Sequence, residues 1–255
     1  MSADSLKDPV GIVGLPGIAN VGRIAVESLI EMLDAQVVLE FFSDDFPPRV
    51  AVKNGISQFP RSSVSVYRAA PDEPHDLVML SADYQPSSSQ GVFAYADFVS
   101  REFQSYGVRH IYALAAYEQE YRDFFSSYPR SPRVFISASS DQLLQRLSGI
   151  QDAVVTLDGV INGANGFIPS WAATMYDMDG ACLLGETLGV IKADYRAARA
   201  VLQVLSDHLG VSLDLEQLDE PVGHVVEFIE WAKSELDQRS ERAPDEEHPS
   251  DRYIG

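Results

Sequence analysis

Residues 9–42 read PVGIVGLPGIANVGRIAVESLIEMLDAQVVLEFF. The first seven are short, apolar and bounded by Pro and Gly, the pattern of a buried strand. Beyond the glycines, Val21, Ile24, Ala25, Ser28, Leu29 and Met32 recur at helical spacing. Residues 19–33 are therefore expected to form a helix with one buried face. Residues 37–42 read as a second strand. Strand, glycine-rich turn, helix and strand make a βαβ unit, normally part of a parallel sheet.

The alternation continues outward. Residues 49–53, 64–67, 77–81, 111–116, 154–157 and 181–184 read as strands. Residues 93–106, 142–147 and, despite Pro169, 167–176 read as helices. The fold class expected is α/β, a mostly parallel sheet flanked by helices. From residue 194 the chain turns helical, over 194–209 and 215–236. Val222, Val225, Val226, Ile229 and Ala232 form one apolar stripe that needs a surface to cover it. Residues 238–255 are polar and charged. The organisation expected is an α/β core over 1–192, a helical segment over 193–237 and a disordered acidic tail over 238–255.

Composition limits the function classes. The 255 residues carry 19 Lys and Arg against 38 Asp and Glu, a formal charge of −19. Only Lys7, Lys53, Lys192 and Lys233 are lysines. Nucleic acid and anionic membranes are poor partners for such a surface, since phosphate neutralisation needs clustered cations. A carboxylate-rich, lysine-poor surface suits a salty cytoplasm such as a halophile's, where salt screens self-repulsion. No apolar run reaches the length of a membrane span. Residues 1–8 lack the basic flank and apolar run of a signal peptide, so a cytoplasmic location is expected.

Two glycine-rich segments are the candidate ligand or partner loops. In residues 11–22, Gly14, Pro16, Gly17, Asn20 and Gly22 link the first strand to the first helix. The spacing fits neither dinucleotide nor mononucleotide phosphate loops, and Pro16 removes a donor. A small anion at the helix start and a purely structural turn both remain open readings. In residues 158–166, Asn162, Asn165 and Gly166 belong to a shaped loop that follows a strand, where α/β folds often face ligands. Its amides would read a polar group, a partner backbone, or the loop itself.

No catalytic set emerges. Glu186 ends a strand but has no assignable acid, base or nucleophile beside it. His75, His110, His208, His224 and His248 show no zinc spacing, and Cys182, the single cysteine, lies in an apolar run. No cofactor and no metal are expected.

Taken in order, Gly14-Leu15-Pro16-Gly17 with Asn20-Val21-Gly22, Pro47-Pro48 with Asn54-Gly55, Gln85-Pro86, the 159–166 loop and Leu183-Leu184-Gly185-Glu186-Thr187 resemble the PAC2 family, the proteasome assembly chaperone family. The resemblance spans about residues 9–218 and implies a core like that of purine nucleoside phosphorylases, assembled into homo-oligomers. It implies a non-catalytic role in binding proteasome α subunits or the 20S particle, and no cofactor. A phosphorylase-like enzyme or small-anion binder using the glycine-rich turns is the alternative. Some archaeal relatives end in hydrophobic-Tyr-any, a tail that docks between α subunits. Here Tyr253, Ile254 and Gly255 close the chain, so the tyrosine stands third from the end, one place off that register.

Overall fold

A computed structural model describes residues 5–242 of the chain. The apolar runs form the strands of a mixed eight-stranded sheet. These are β1 (Val10–Gly14), β2 (Gln36–Phe41), β5 (Ser62–Tyr67), β6 (Leu77–Ala82), β7 (His110–Glu118), β8 (Val134–Ala138), β9 (Ala153–Val155) and β10 (Asp179–Thr187). Their order is β2-β5-β6-β1-β7-β10-β8-β9. The central strands β6, β1, β7 and β10 run parallel. Antiparallel pairs then flank them, β5 with β6 and β2 with β5 on one side, β8 with β10 on the other. Thus β2 does not lie beside β1, as a simple βαβ unit would place it, but three strands away at the edge. Between β2 and β5 the chain makes a separate hairpin from β3 (Ala51–Lys53) and β4 (Ile56–Gln58).

Helices cover both faces. On one, Ile12, Met79, Leu114 and Leu183 meet Ala25 and Leu29 of α1 (Val21–Met32) and Val201 and Leu205 of α6 (Tyr195–Leu209). On the other, Val13, Leu80, Ala113 and Leu184 meet Val99 and Phe103 of α2 (Ser89–Ser105) and Ile168 and Ala172 of α5 (Ala164–Met175). Successive strand residues face opposite layers, so strands buried on both sides are apolar at nearly every position. This explains why the β1, β6 and β10 runs are continuous rather than alternating.

Ser88 caps α2 by accepting from the Gly91 N–H at 3.0 Å, which starts the helix four residues before the expected 93. Three elements were not expected from the sequence, β4, α3 (Tyr121–Ser127) and β8, and α4 (Asp141–Ser148) is capped by Ser140. Beyond a short 3-10 turn (Leu215–Leu218), α7 (Asp219–Arg242) buries Val225 and Ile229 against α6. The expected tail boundary at 238 falls inside this helix. Tyr253, Ile254 and Gly255 lie outside the described residues.

Candidate functional site

The two glycine-rich segments meet at the C-terminal ends of the parallel strands. After β1 the chain passes through a 3-10 turn, Ile18–Asn20, in which Ala19 (φ 49°) and Asn20 (φ 52°) are both left-handed. Such backbone costs a side-chain-bearing residue about 1–2 kcal/mol. It is held in place from the far end of the chain. Ala19 O accepts from the Asp194 N–H at 2.9 Å, and Asn20 Nδ2 donates to Lys192 O at 3.1 Å. Gly14 and Gly22 are close-approach positions. A Cβ on Gly22 would lie 2.1 Å from Leu114 O in β7, and one on Gly14 would lie 2.2 Å from Gly22 O. They let α1 press its backbone onto the sheet.

The second loop is clasped to the first. Asn165, 4% exposed, accepts from the Leu15 N–H at 2.9 Å and donates from Nδ2 to Leu15 O at 3.0 Å. One amide thus satisfies both backbone groups of a residue that has just left the sheet. Gln85, from the loop after β6, repeats the device. Its Nε2 donates to Pro16 O, and its Oε1 accepts from the Ala164 N–H at 2.8 Å. Gly166 is buried in the first turn of α5.

Beside this clasp opens a cleft of about 700 Å³. Gly17, Gln85, Tyr117, Asn162 and Gly163 line it, and the 156–163 segment forms one wall. Its charged lining residues are Glu118 and Asp158, with no Lys or Arg among the described residues. The Thr156 hydroxyl there is buried without a partner among the described residues. Of the sequence-derived positions, Gly17, Gly22, Asn162 and Asn165 border the cleft. Gly14, Pro16 and Asn20 belong to the same turn but do not line the cleft.

A second polar cluster lies at the end of β10. Glu186, 3% exposed, accepts from Arg130 Nη2 at 2.8 Å, Arg133 Nη2 at 3.1 Å, the Arg133 N–H at 3.0 Å and Gln119 Nε2. Burial alone would raise its pKa. The Arg133 side-chain and backbone bonds and the two guanidinium charges outweigh that and hold the carboxyl below its ordinary value. Next to it, buried Asp194 caps α6 and accepts from Thr187 Oγ1 at 2.7 Å and Arg196 Nη2 at 2.8 Å. Both carboxylates are thus paired with arginines. Cys182 faces the core, and burial pushes its thiol up to about 12. Among the described residues no three His, Cys, Asp or Glu side chains are placed to hold a metal, and no helix is long and apolar enough to cross a membrane.

A sequence model of the PAC2 family matches residues 11–230. The chain belongs to the PAC2 family. An uncharacterized protein of Methanocaldococcus jannaschii is 28% identical over 256 aligned positions, covering 99% of this chain and 94% of the relative. Among solved structures, Pyrococcus furiosus PbaB, described as an archaeal proteasome activator, superposes with a TM-score of 0.80 at 29% identity, over 91% of this PAC2 chain and 96% of PbaB. A PAC2 family protein from Streptomyces avermitilis shares the fold, with a TM-score of 0.70 at 21% identity, over 91% of this chain and 99% of that one. The sheet and its two helical layers are therefore those of PAC2 structures, as the sequence motifs imply.

Proposed function

We propose that this PAC2 protein is a non-catalytic proteasome-binding factor, an assembly chaperone or activator that works as a homo-oligomer and binds α subunits or the 20S particle. The observation that carries this reading is the likeness to the P. furiosus proteasome activator over nine-tenths of the chain. The chemistry of the site supports it. Asn165 and Gln85, two of the three amides that line the cleft, are occupied in closing the protein's own loops. Glu186 and Asp194, buried in and beyond the end of β10, are paired with arginines. On the cleft wall, Leu157 and Val160 offer exposed apolar surface.

The test is a pull-down at molar salt from the native host, with the retained proteins identified by mass spectrometry. Retention of α subunits or whole 20S particles, weakened on deletion of residues 252–255 or on charging Leu157 and Val160, is the expected result. Failure to retain any proteasome subunit at the salt of the native cytoplasm overturns the reading.

The cleft itself favours one second reading, a small-molecule site at the strand ends, where open α/β sheets bind ligands. Its acidic lining selects a neutral or cationic compound over the phosphate of a phosphorylase. A thermal-shift screen with nucleosides, nucleotides, phosphate and polyamines separates these, because a ligand of the native state raises the melting temperature by mass action.

A further inference from the structure

Residues 46–61, FPPRVAVKNGISQFPR, contain Arg49, Lys53 and Arg61 and not one of the chain's 38 acidic residues. This is the segment that forms the β3–β4 hairpin. Asn54 (φ 51°) and Gly55 (φ 78°) make its two-residue turn, the backbone that tight hairpins require. It hydrogen-bonds to no strand of the main sheet. Val52 and Ile56 are each 68% exposed and Phe59 63% exposed, with the Phe59 ring edge-on to exposed Phe42 at 5.6 Å. Arg61 pairs with Glu40 at 2.8 Å, whereas Arg49 and Lys53 have no ion-pair partner among the described residues. A two-stranded hairpin with both faces in water is marginal by itself. An exposed apolar patch of this kind marks a contact surface.

A surface of opposite charge stands elsewhere on the same molecule. While α7 buries Val225 and Ile229, its outer stripe presents Glu220, Glu227, Phe228 and Trp231. Trp231 is 60% exposed and lies 6.0 Å from the Phe228 ring. The two surfaces sit toward opposite edges of the sheet. The hairpin is inserted between β2 and β5, the outermost strands of one edge. In contrast, α7 packs on α6, which covers β10 and β8 toward the other.

We propose that these surfaces bind each other between copies, the hairpin of one subunit docking across the outer face of α7 on the next. The inference rests on the homo-oligomer reading above and supplies its contact. Copies of a strongly acidic chain repel one another over most of their surface, and the hairpin is where the sign inverts. At molar salt the screening length is about 3 Å, so distant repulsion vanishes while touching charges persist. Apolar burial of Val52, Ile56, Phe59, Phe228 and Trp231 then carries the affinity. Pairing of Arg49 and Lys53 with Glu220 and Glu227 sets register. Because the two patches differ, the contact is head-to-tail, and it closes into a ring or propagates, according to its rotation.

The experiment is sedimentation at molar salt over a range of concentrations, with circular dichroism and melting as controls of folding. Wild type is expected to assemble. Val52→Glu/Ile56→Glu removes the hairpin's function, and Trp231→Glu that of α7. Each alone should weaken association by roughly 30-fold or more, as loss of a hot spot does. Mixed in equal amounts, the two should form a dimer and nothing larger, since one intact hairpin meets one intact α7. Wild-type-like assembly by either variant, or a mixture that stays monomeric, overturns the contact while the homo-oligomer reading stands. A wild type that stays monomeric at every concentration removes both, whether or not it retains 20S particles.

Discussion

Asn165→Asp changes one buried atom from donor to acceptor. In the wild type, Nδ2 donates to Leu15 O at 3.0 Å while Oδ1 accepts from the Leu15 N–H at 2.9 Å. The ionised variant keeps the second bond and sets a carboxylate oxygen against a carbonyl in a site that excludes water. An unsatisfied buried acceptor costs about 1–3 kcal/mol, and more when it is charged, so a loss of roughly 3–4 kcal/mol is expected near neutral pH. A protonated carboxyl donates again and repairs the clasp. The neutral form is thus favoured by folding, and the folded-state pKa of the new carboxyl lies above its unfolded value of about 3.9. The variant's stability relative to wild type is fully retained below that unfolded value and lost as pH rises through the folded one. Urea unfolding at constant molar salt, from neutral to acid pH, measures the difference. Asn165→Ala is the control, a comparable loss without the pH dependence. If Asn165→Asp stays within about 0.5 kcal/mol of wild type at neutral pH, the clasp does not hold the loops and Asn165 is free to meet a ligand.

Gly22→Ala places a methyl 2.1 Å from Leu114 O, a backbone atom with nowhere to go; overpacking of about 3 kcal/mol should lower the melting temperature by roughly 6–12 °C, and an unchanged melt refutes the close approach. His208 accepts from or donates to Tyr112 OH at 2.8 Å, and burial, aided by the charge of Arg146, pushes it down to about 4 from its ordinary 6.5. Its stability contribution is therefore complete above 6.5 and is lost as pH falls toward 4, at roughly 1.4 kcal/mol per pH unit, because the unfolded chain takes up the proton first. His208→Gln should flatten the acid limb of the stability curve across that window, and equal slopes in the two proteins would refute the assignment.

The parallel heart of the sheet was legible because strands covered on both faces leave continuous apolar runs, as at VGIVG in β1 and LVML in β6. Segments at the sheet's margin were harder. In β8, only Val134 and Ile136 are fully buried among five residues that follow a proline-rich turn, too short a signal to separate from loop. The residues 49–53 keep only three in a strand, because Pro47 and Pro48 hold the entry and the pairing partner is the β4 segment just beyond the Asn54-Gly55 turn. At the site, Asn165 was visible as an amide in a glycine-rich loop, but its partner lies 150 residues away, and nothing local tells a clasp from a ligand reader. The arginines of Glu186 are 53 and 56 residues upstream, and the one signal that could have drawn attention to them is the Pro129-Arg130-Ser131-Pro132-Arg133 run.

The turn after β1 also has a history in time. Leu15 N–H and O are answered by Asn165, Ala19 O by the Asp194 N–H, and the Asn20 side chain by Lys192 O, contacts that span 150 residues or more. A ribosome adding about 5–20 residues per second delivers Gln85, 69 residues beyond Pro16, after roughly 3–14 s, but leaves Leu15 waiting roughly 8–30 s for Asn165. Within this interval β1 gains its two sheet neighbours, β6 and β7, while the turn beyond it stays open. The protein is thus a late-closing chain, vulnerable to misassociation until its final third has left the exit tunnel.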